Sequence, residues 1–199
     1  MASRKNPYAK PDHFTRAAKD AGFPARSVFK LEEIDRRVRL LRPGQRVVDL
    51  GAAPGSWALY AAGRIGESGR LLAVDLEPLR VALPPHAVFV QGDALALESS
   101  DLSRFAPYDV VLSDMAPKTT GNRVTDQARS FELFMRALAV AALLGAPGGS
   151  FVGKLFMSGD LPAARAELRR HYAVERLIRP EGTRSVSTEI FVVGAEKRP

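Results

Sequence analysis

Apolar positions along the chain fall into two periods that alternate from about residue 46 onward. Val47 and Val48 are β-branched and follow Pro43-Gly44, which predicts a short buried strand closed by Asp49-Leu50. Five small residues, Gly51 to Gly55, make a turn, and Trp57, Ala61 and Ile65 then recur at helical spacing. Further strands are predicted at 70–76 (RLLAVDL), 86–95 (HAVFVQGDAL), 108–117 (YDVVLSDMAP) and 149–156 (GSFVGKLF). A long apolar helix over 124–144 is ended by Gly145, Pro147 and Gly148-Gly149, and 161–172 reads as another helix. The last two strands are AVERLIRP, from 173, and TEIFVVGA, from 188; their short hydrophilic link has no crossover helix, so they should pair antiparallel. Ahead of all this lie two helices. One spans about 13–21 and ends at Gly22-Phe23-Pro24. The other starts near Ser27 and puts Val28, Leu31, Ile34, Val38 and Leu41 on one face. Residues 1–12 are polar, hold Pro7 and Pro11, and should be loosely ordered. Strands alternating with helices predict an open α/β sheet.

Composition narrows the class. A chain of 199 residues with 46% hydrophobic content is expected to be one domain with a sizeable core. The longest apolar run, ALAVAALLGA at 137–146, is too short to span a membrane and reads as a buried helix. The basic start MASRKNPYAKPD lacks the apolar stretch of a secretory signal. Cysteine is absent, which excludes disulfides, thiolate metal sites and cysteine nucleophiles and permits a cytoplasmic location. His13, His86 and His171 stand far apart, so no metal site is expected.

Charge changes the picture more. The net charge is +7, and residues 1–46 hold 12 Lys/Arg against 5 Asp/Glu, while the remainder holds 17 of each. A basic segment ahead of a neutral domain is what a polyanion-binding surface looks like. A solubilising tail has the same composition. Arg36, Arg37 and Arg39 point away from the apolar stripe and read as a solvated face. Lys30, beside that stripe, reads on its own as a surface lysine.

Strand, small-residue turn and helix form the entry to a nucleotide-type site in an open α/β sheet. The turn is not G-x-G-x-x-G, which disfavours a nicotinamide oxidoreductase, and it lacks the Gly-Lys-Ser/Thr of a phosphate loop. A proline before the second glycine, and an acid closing the strand, suit a ligand with a cationic amino-acid end; S-adenosylmethionine (SAM) is one. Asp75, 20 residues beyond Gly55, is placed to accept hydrogen bonds from a ribose diol. Asp93 could face an adenine amino group, and Asp114 ends the fourth strand. One strand-end acid could be a helix cap; three in series with the glycine turn point to a ligand. Lys154 interrupts an apolar strand, which is costly unless it reaches a partner or a cleft, although a snorkelling side chain is the plainer alternative.

VFKLEEID, VVDLGAAPGSW, VVLSDMAP, GGSFVGKLF and RSVSTEIFVV, in that order and spacing, resemble the FtsJ/RrmJ-type ribosomal RNA 2′-O-ribose methyltransferases. The likeness runs from about residue 10 to the C-terminus. It implies a Rossmann-like SAM-dependent fold: a seven-stranded, mostly parallel sheet with an antiparallel last strand and helices on both faces. It places the family's catalytic Lys-Asp-Lys-Glu tetrad on Lys30, Asp114, Lys154 and Glu189, and its SAM contacts on Gly55, Trp57, Asp75, Asp93 and Asp114. Ser56 departs from the family, which usually has a second glycine there; serine is small, so cofactor binding should survive.

The implied product is a 2′-O-methylated uridine in large-subunit rRNA. The reaction would be an in-line methyl transfer from a sulfonium to a ribose hydroxyl, with the enzyme positioning and deprotonating the nucleophile. Lys154 is either a general base or a charged group that orients the hydroxyl and stabilises developing negative charge. Lys30 would steer the substrate, and Glu189 would hold the lysines in place. RNA contacts are expected on Arg4, Lys5, Lys10, Arg16, Lys19 and Arg26, with the arginines between Arg165 and Arg184 as the fallback. Two alternatives stand beside this reading: a 2′-O-methyltransferase of tRNA or another RNA, and a non-catalytic ribosome-assembly factor with a vestigial SAM site.

Overall fold

The computed structural model describes residues 13–183 and 187–199, so Arg4, Lys5, Lys10 and Arg184 lie outside the described residues. Two helices, α1 (His13–Asp20) and α2 (Val28–Val38), precede β1 (Arg46–Leu50) and α3 (Ser56–Ile65). Then follow β2 (Arg70–Asp75), β3 (Ala87–Gln91), α4 (Ser99–Leu102), β4 (Tyr108–Ser113), α5 (Arg123–Leu144), β5 (Gly145–Phe156), α6 (Leu161–His171), β6 (Tyr172–Ile178) and β7 (Glu189–Lys197). All seven strands join one sheet in the order β3-β2-β1-β4-β5-β7-β6. The first five pair in parallel, and β7 runs antiparallel to both β5 and β6. The expected architecture is therefore present, with β7 inserted between β5 and β6.

Period-2 alternation splits the core into two layers. Val48, Leu50, Leu72, Val111, Phe151 and Val192 face α5 and α6. Val47, Leu71, Ala73, Val110, Val152 and Phe191 face α2 and α3. The central strands β1, β2, β4, β5 and β7 are thus buried on both sides, while the edge strands β3 and β6 are partly exposed.

Strands β3 and β4 are shorter than the sequence suggested, and two boundaries and one helix differ more. Helix α2 stops at Val38, because Arg39 adopts a left-handed conformation (φ 53°) and caps it. Leu40 and Leu41 are still buried, and the Asp35 carboxylate accepts the Leu41 N–H at 2.8 Å, so the apolar period outlasts the helix. Strand β5 begins at Gly145, whose N–H still donates to the Ala141 carbonyl at the end of α5, so helix passes into strand without a loop. The register then slips: five steps from Gly145 to Ser150 oppose two from Tyr108 to Val110, leaving a bulge at Pro147 to Gly149. Helix α4 is a single turn that too few apolar positions announced.

Candidate active site

The chain folds so that one face of one sheet edge collects the chemistry. In the β5–β7 ladder Lys154 lies opposite Phe191 and Phe156 opposite Glu189, so Glu189 is the diagonal neighbour of Lys154 on the same face. In the β4–β5 ladder Ser113 lies beside Gly153, which brings the next residue, Asp114, alongside Lys154. Helix α2 covers this face and delivers Lys30 from above. Two ion pairs result. Lys154 Nζ donates to Asp114 Oδ1 at 2.9 Å and also to the Asp114 main-chain carbonyl. Lys30 Nζ pairs with Glu189 Oε1 and lies 5.9 Å from the centre of the Phe191 ring. Lys154 is 7% exposed and Glu189 9%, so these charges are largely withdrawn from water and satisfied by one another. The Lys154 nitrogen retains one free position: a lone pair if neutral, an N–H if charged.

Beside the Lys154–Asp114 pair opens a cleft of about 660 Å³ at the carboxyl ends of β1, β2, β3 and β4, lined by Gly51, Asp75, Asp93, Asp114, Leu76 and Leu95 among others. Asp75 is fixed by the backbone N–H groups of Ala53 and Glu77, each at 2.8 Å, and Asp93 by that of Leu95 at 2.9 Å. These bonds aim the carboxylates and leave acceptor capacity on each. Leu76 is 59% exposed and Leu95 42%, an unusual exposure for leucines of a cleft wall and a fit for a flat apolar ring between them.

Beneath the cleft, Asp49 is 0% exposed and neither carboxylate oxygen has a hydrogen-bond partner. Burial, then the nearby Asp114 and Asp75, hold its carboxyl well above the usual carboxylate range. A buried carboxyl that lacks a partner keeps its proton unless a cation is brought beside it. Gly51 shapes the same wall: its φ is +80°, and a Cβ there would stand 2.6 Å from Met115 Cγ and 2.9 Å from the Met115 backbone. Gly51→Ala should therefore cost roughly 1–3 kcal/mol through the left-handed backbone and the clash, read as a lowered urea midpoint. An unchanged midpoint would mean that the turn has room the distances deny.

The residues expected to bind the cofactor do not all reach the cleft through side chains. The Trp57 indole is 2% exposed, donates to the Ser27 carbonyl at 2.9 Å and stacks at 5.5 Å on Phe191. It staples α3 to α2, and neither Trp57 nor Gly55 (φ 115°, at the N-terminus of α3) is among the residues lining the cleft. Ser56, the departure from the family, is structural: its hydroxyl accepts the Ala25 N–H at 2.8 Å and donates to the Ala25 carbonyl at 3.0 Å, tying the approach to α2 onto α3. Arg16 and Lys19 are exposed on α1, whereas Arg26 donates to the Gly182 carbonyl and stacks over Phe14. Asp49 is the strand-closing acid that the sequence matched to a cationic ligand end, though it was not counted among the site residues; Phe191 was missed, and its signal was its place two residues after Glu189, on the same strand face. Among the described residues no group of three or more His, Cys, Asp or Glu is placed to hold a metal, and no helix is long and apolar enough to cross a membrane.

This geometry has relatives. The family model for FtsJ-like methyltransferases matches residues 23–197. The chain is 67% identical to a Sorangium cellulosum protein named ribosomal RNA large subunit methyltransferase E, over 98% of this chain and 92% of that one. It is 49% identical to the Bdellovibrio bacteriovorus protein of the same name, over 96% and 99%. Among solved structures, a Plasmodium falciparum chain provisionally described as a ribosomal RNA methyltransferase superposes with a TM-score of 0.76 at 20% identity, covering 88% of this chain and 98% of that one. Human methyltransferase-like protein 13 shares the fold more loosely, at a TM-score of 0.55 and 16% identity, over 85% and 77%. Fold, ion-paired site and extended sequence identity converge, and the chain belongs to the FtsJ-like methyltransferase family.

Proposed function

We propose that this protein uses SAM to methylate the 2′-oxygen of a uridine ribose in large-subunit rRNA. The observation that carries the reading is the paired arrangement Lys154–Asp114 and Lys30–Glu189 on one buried face, opening onto the acid-lined cleft. The cleft residues suit SAM: Asp75 for the ribose hydroxyls and Asp93 for the adenine amino group between Leu76 and Leu95, with Asp49, buried and unpartnered behind the lining, as a counter-charge for the cationic end. Bound there, SAM supplies an electrophilic methyl group. This chain's residues do the rest. Lys154 holds the acceptor hydroxyl and either takes its proton or, if charged, stabilises the developing oxyanion while the proton passes to solvent; Asp114 fixes Lys154 through two contacts; Glu189 fixes Lys30, which meets the substrate backbone. The relatives named as large-subunit rRNA methyltransferases support the substrate class. The basic segment up to residue 46 would face the RNA, with Arg16 and Lys19 on its exposed side.

Transfer of labelled methyl from SAM to large ribosomal subunits, with tRNA as the competing substrate, tests the reading. The expected product is a methylated uridine whose 3′ linkage resists alkali. Label on tRNA alone, or on a base, would overturn it. Asp75→Ala and Asp93→Ala should each weaken SAM binding by about 1–3 kcal/mol, since each removes a hydrogen-bond acceptor from a polar ligand group. Calorimetry giving wild-type affinity for both variants would sink the cofactor assignment.

A further inference from the structure

A second cleft, of about 490 Å³, lies at the opposite, amino edge of the sheet, where α2, β1, β4 and β5 begin or end. Its walls carry Arg39, Arg42 and Arg176, and its base is the β5 bulge at Pro147 to Gly149. We propose that this cleft grips backbone phosphate of the substrate RNA and so forms a second anchor, remote from the methylated ribose. The proposal rests on the RNA reading given above.

The cleft lies on the same face as the tetrad. Arg176 is opposite Val193 in the β6–β7 ladder, and Val193 shares its face with Phe191 and Glu189. Four residue steps along β7 lead from Glu189 to Val193, a run of about 14 Å. Nine steps along α2 and its cap lead from Lys30 to Arg39, again about 14 Å. One RNA segment can therefore reach both points across a few nucleotides.

The three arginines differ from six others on the surface, and among the described residues they alone of the unpaired ones are gathered at this cleft. Arg37, Arg46, Arg64, Arg165, Arg169 and Arg170 each pair with a carboxylate. The guanidinium groups of Arg39, Arg42 and Arg176 are exposed and have no ion pair or hydrogen bond to any described residue. Two acids line the same cleft. Asp109 is answered by the Arg46 backbone N–H at 2.7 Å and its guanidinium at 3.8 Å, which leaves Glu196 against three free cations. Among the described residues only two non-glycine residues have positive φ, Arg39 (53°) and Glu196 (58°), and both line this cleft. Arg39 takes this conformation as the cap of α2, which fixes its side chain at the cleft mouth. A planar guanidinium suits phosphate, and three unneutralised ones at a cleft mouth suit a chain of phosphates.

The test uses the full chain and a large-subunit rRNA fragment that it methylates. Two variants are compared, Arg39→Gln/Arg42→Gln/Arg176→Gln and the milder Arg42→Gln/Arg176→Gln, which leaves the α2 cap intact and decides the matter if the triple variant melts early. RNA affinity is measured at several salt concentrations. The expected result is a dissociation constant raised roughly tenfold or more, and a salt slope flattened by about 0.7 to 0.9 per lost contact. SAM affinity and the single-turnover rate at saturating RNA should stay at wild-type values. Unchanged RNA affinity and slope would overturn the proposal. So would saturable binding of inorganic phosphate alone that the variants lose while RNA affinity holds, which would make the cleft a small-anion site. Failure of the wild-type protein to methylate any RNA is a separate result: it removes the functional reading, and the binding series still judges the cleft.

Discussion

Lys154→Ala should lower single-turnover methyl transfer by about 10²–10⁴, the range that a positioned proton acceptor or charge stabiliser contributes. SAM affinity should barely move. The lysine reaches Asp114 from β5, and its contacts are to that residue's carbonyl and carboxylate; the cleft walls that would hold the adenosine belong to β1, β2 and β3. A second substitution divides the two roles open to this nitrogen. Lys154→Arg keeps a positive charge but cannot accept a proton. If the group acts by charge and orientation, the arginine variant should recover part of the lost rate. If it acts as a base, arginine should be as inactive as alanine. A rate for Lys154→Ala within tenfold of wild type, in a protein that melts normally, would remove Lys154 from the reaction altogether.

Much of this site was legible because strands obey a period of two. The run of acids at Asp75, Asp93 and Asp114 could be read as one edge of a sheet, since each closes an apolar run, and the parallel ladders do align those ends. Lys154 stood out as a charge inside an apolar strand. What the chain order does not state is which partners meet across the fold. Lys30 looks like any surface lysine in its helix; only the packing of α2 over β7 reveals Glu189 beneath it. The family resemblance implied a SAM contact at Trp57, whereas its indole serves the α2–α3 junction. Arg26 was grouped with free basic residues, yet it bonds the Gly182 carbonyl, 156 residues away. The helix boundary at Val38 escaped because Leu40 and Leu41 continue the apolar period after the backbone has turned. Helical period reports burial, and burial persists where the helix does not.

Asp49→Asn should stabilise the cofactor-free protein near neutral pH and weaken its hold on SAM, two opposite effects from one atom change. Asp49 closes β1 with both oxygens buried and unpartnered, and burial together with Asp114 and Asp75 pushes its carboxyl well above the ordinary range. The folded chain therefore holds this proton at pH values where the unfolded chain, with an ordinary aspartate near 3.9, has released it. The stability it contributes is complete below about pH 4 and is lost as pH rises toward its folded value. Asparagine has no proton to lose, so the stability of the variant relative to wild type should climb between about pH 4 and neutrality. Urea midpoints across that range read the difference; parallel pH profiles for the two proteins would refute the burial argument. Binding tests the other half. A ligand with a cationic amino-acid end would answer the ionised carboxylate, so wild-type affinity should rise with pH and association should release a proton. The variant should lose about 1.5–3 kcal/mol of affinity at neutral pH, the worth of a hydrogen bond to a charged group. Calorimetry in buffers of different ionisation enthalpy detects the proton. Equal affinities and no proton release would mean that Asp49 stays neutral in the complex and that the cation is met elsewhere.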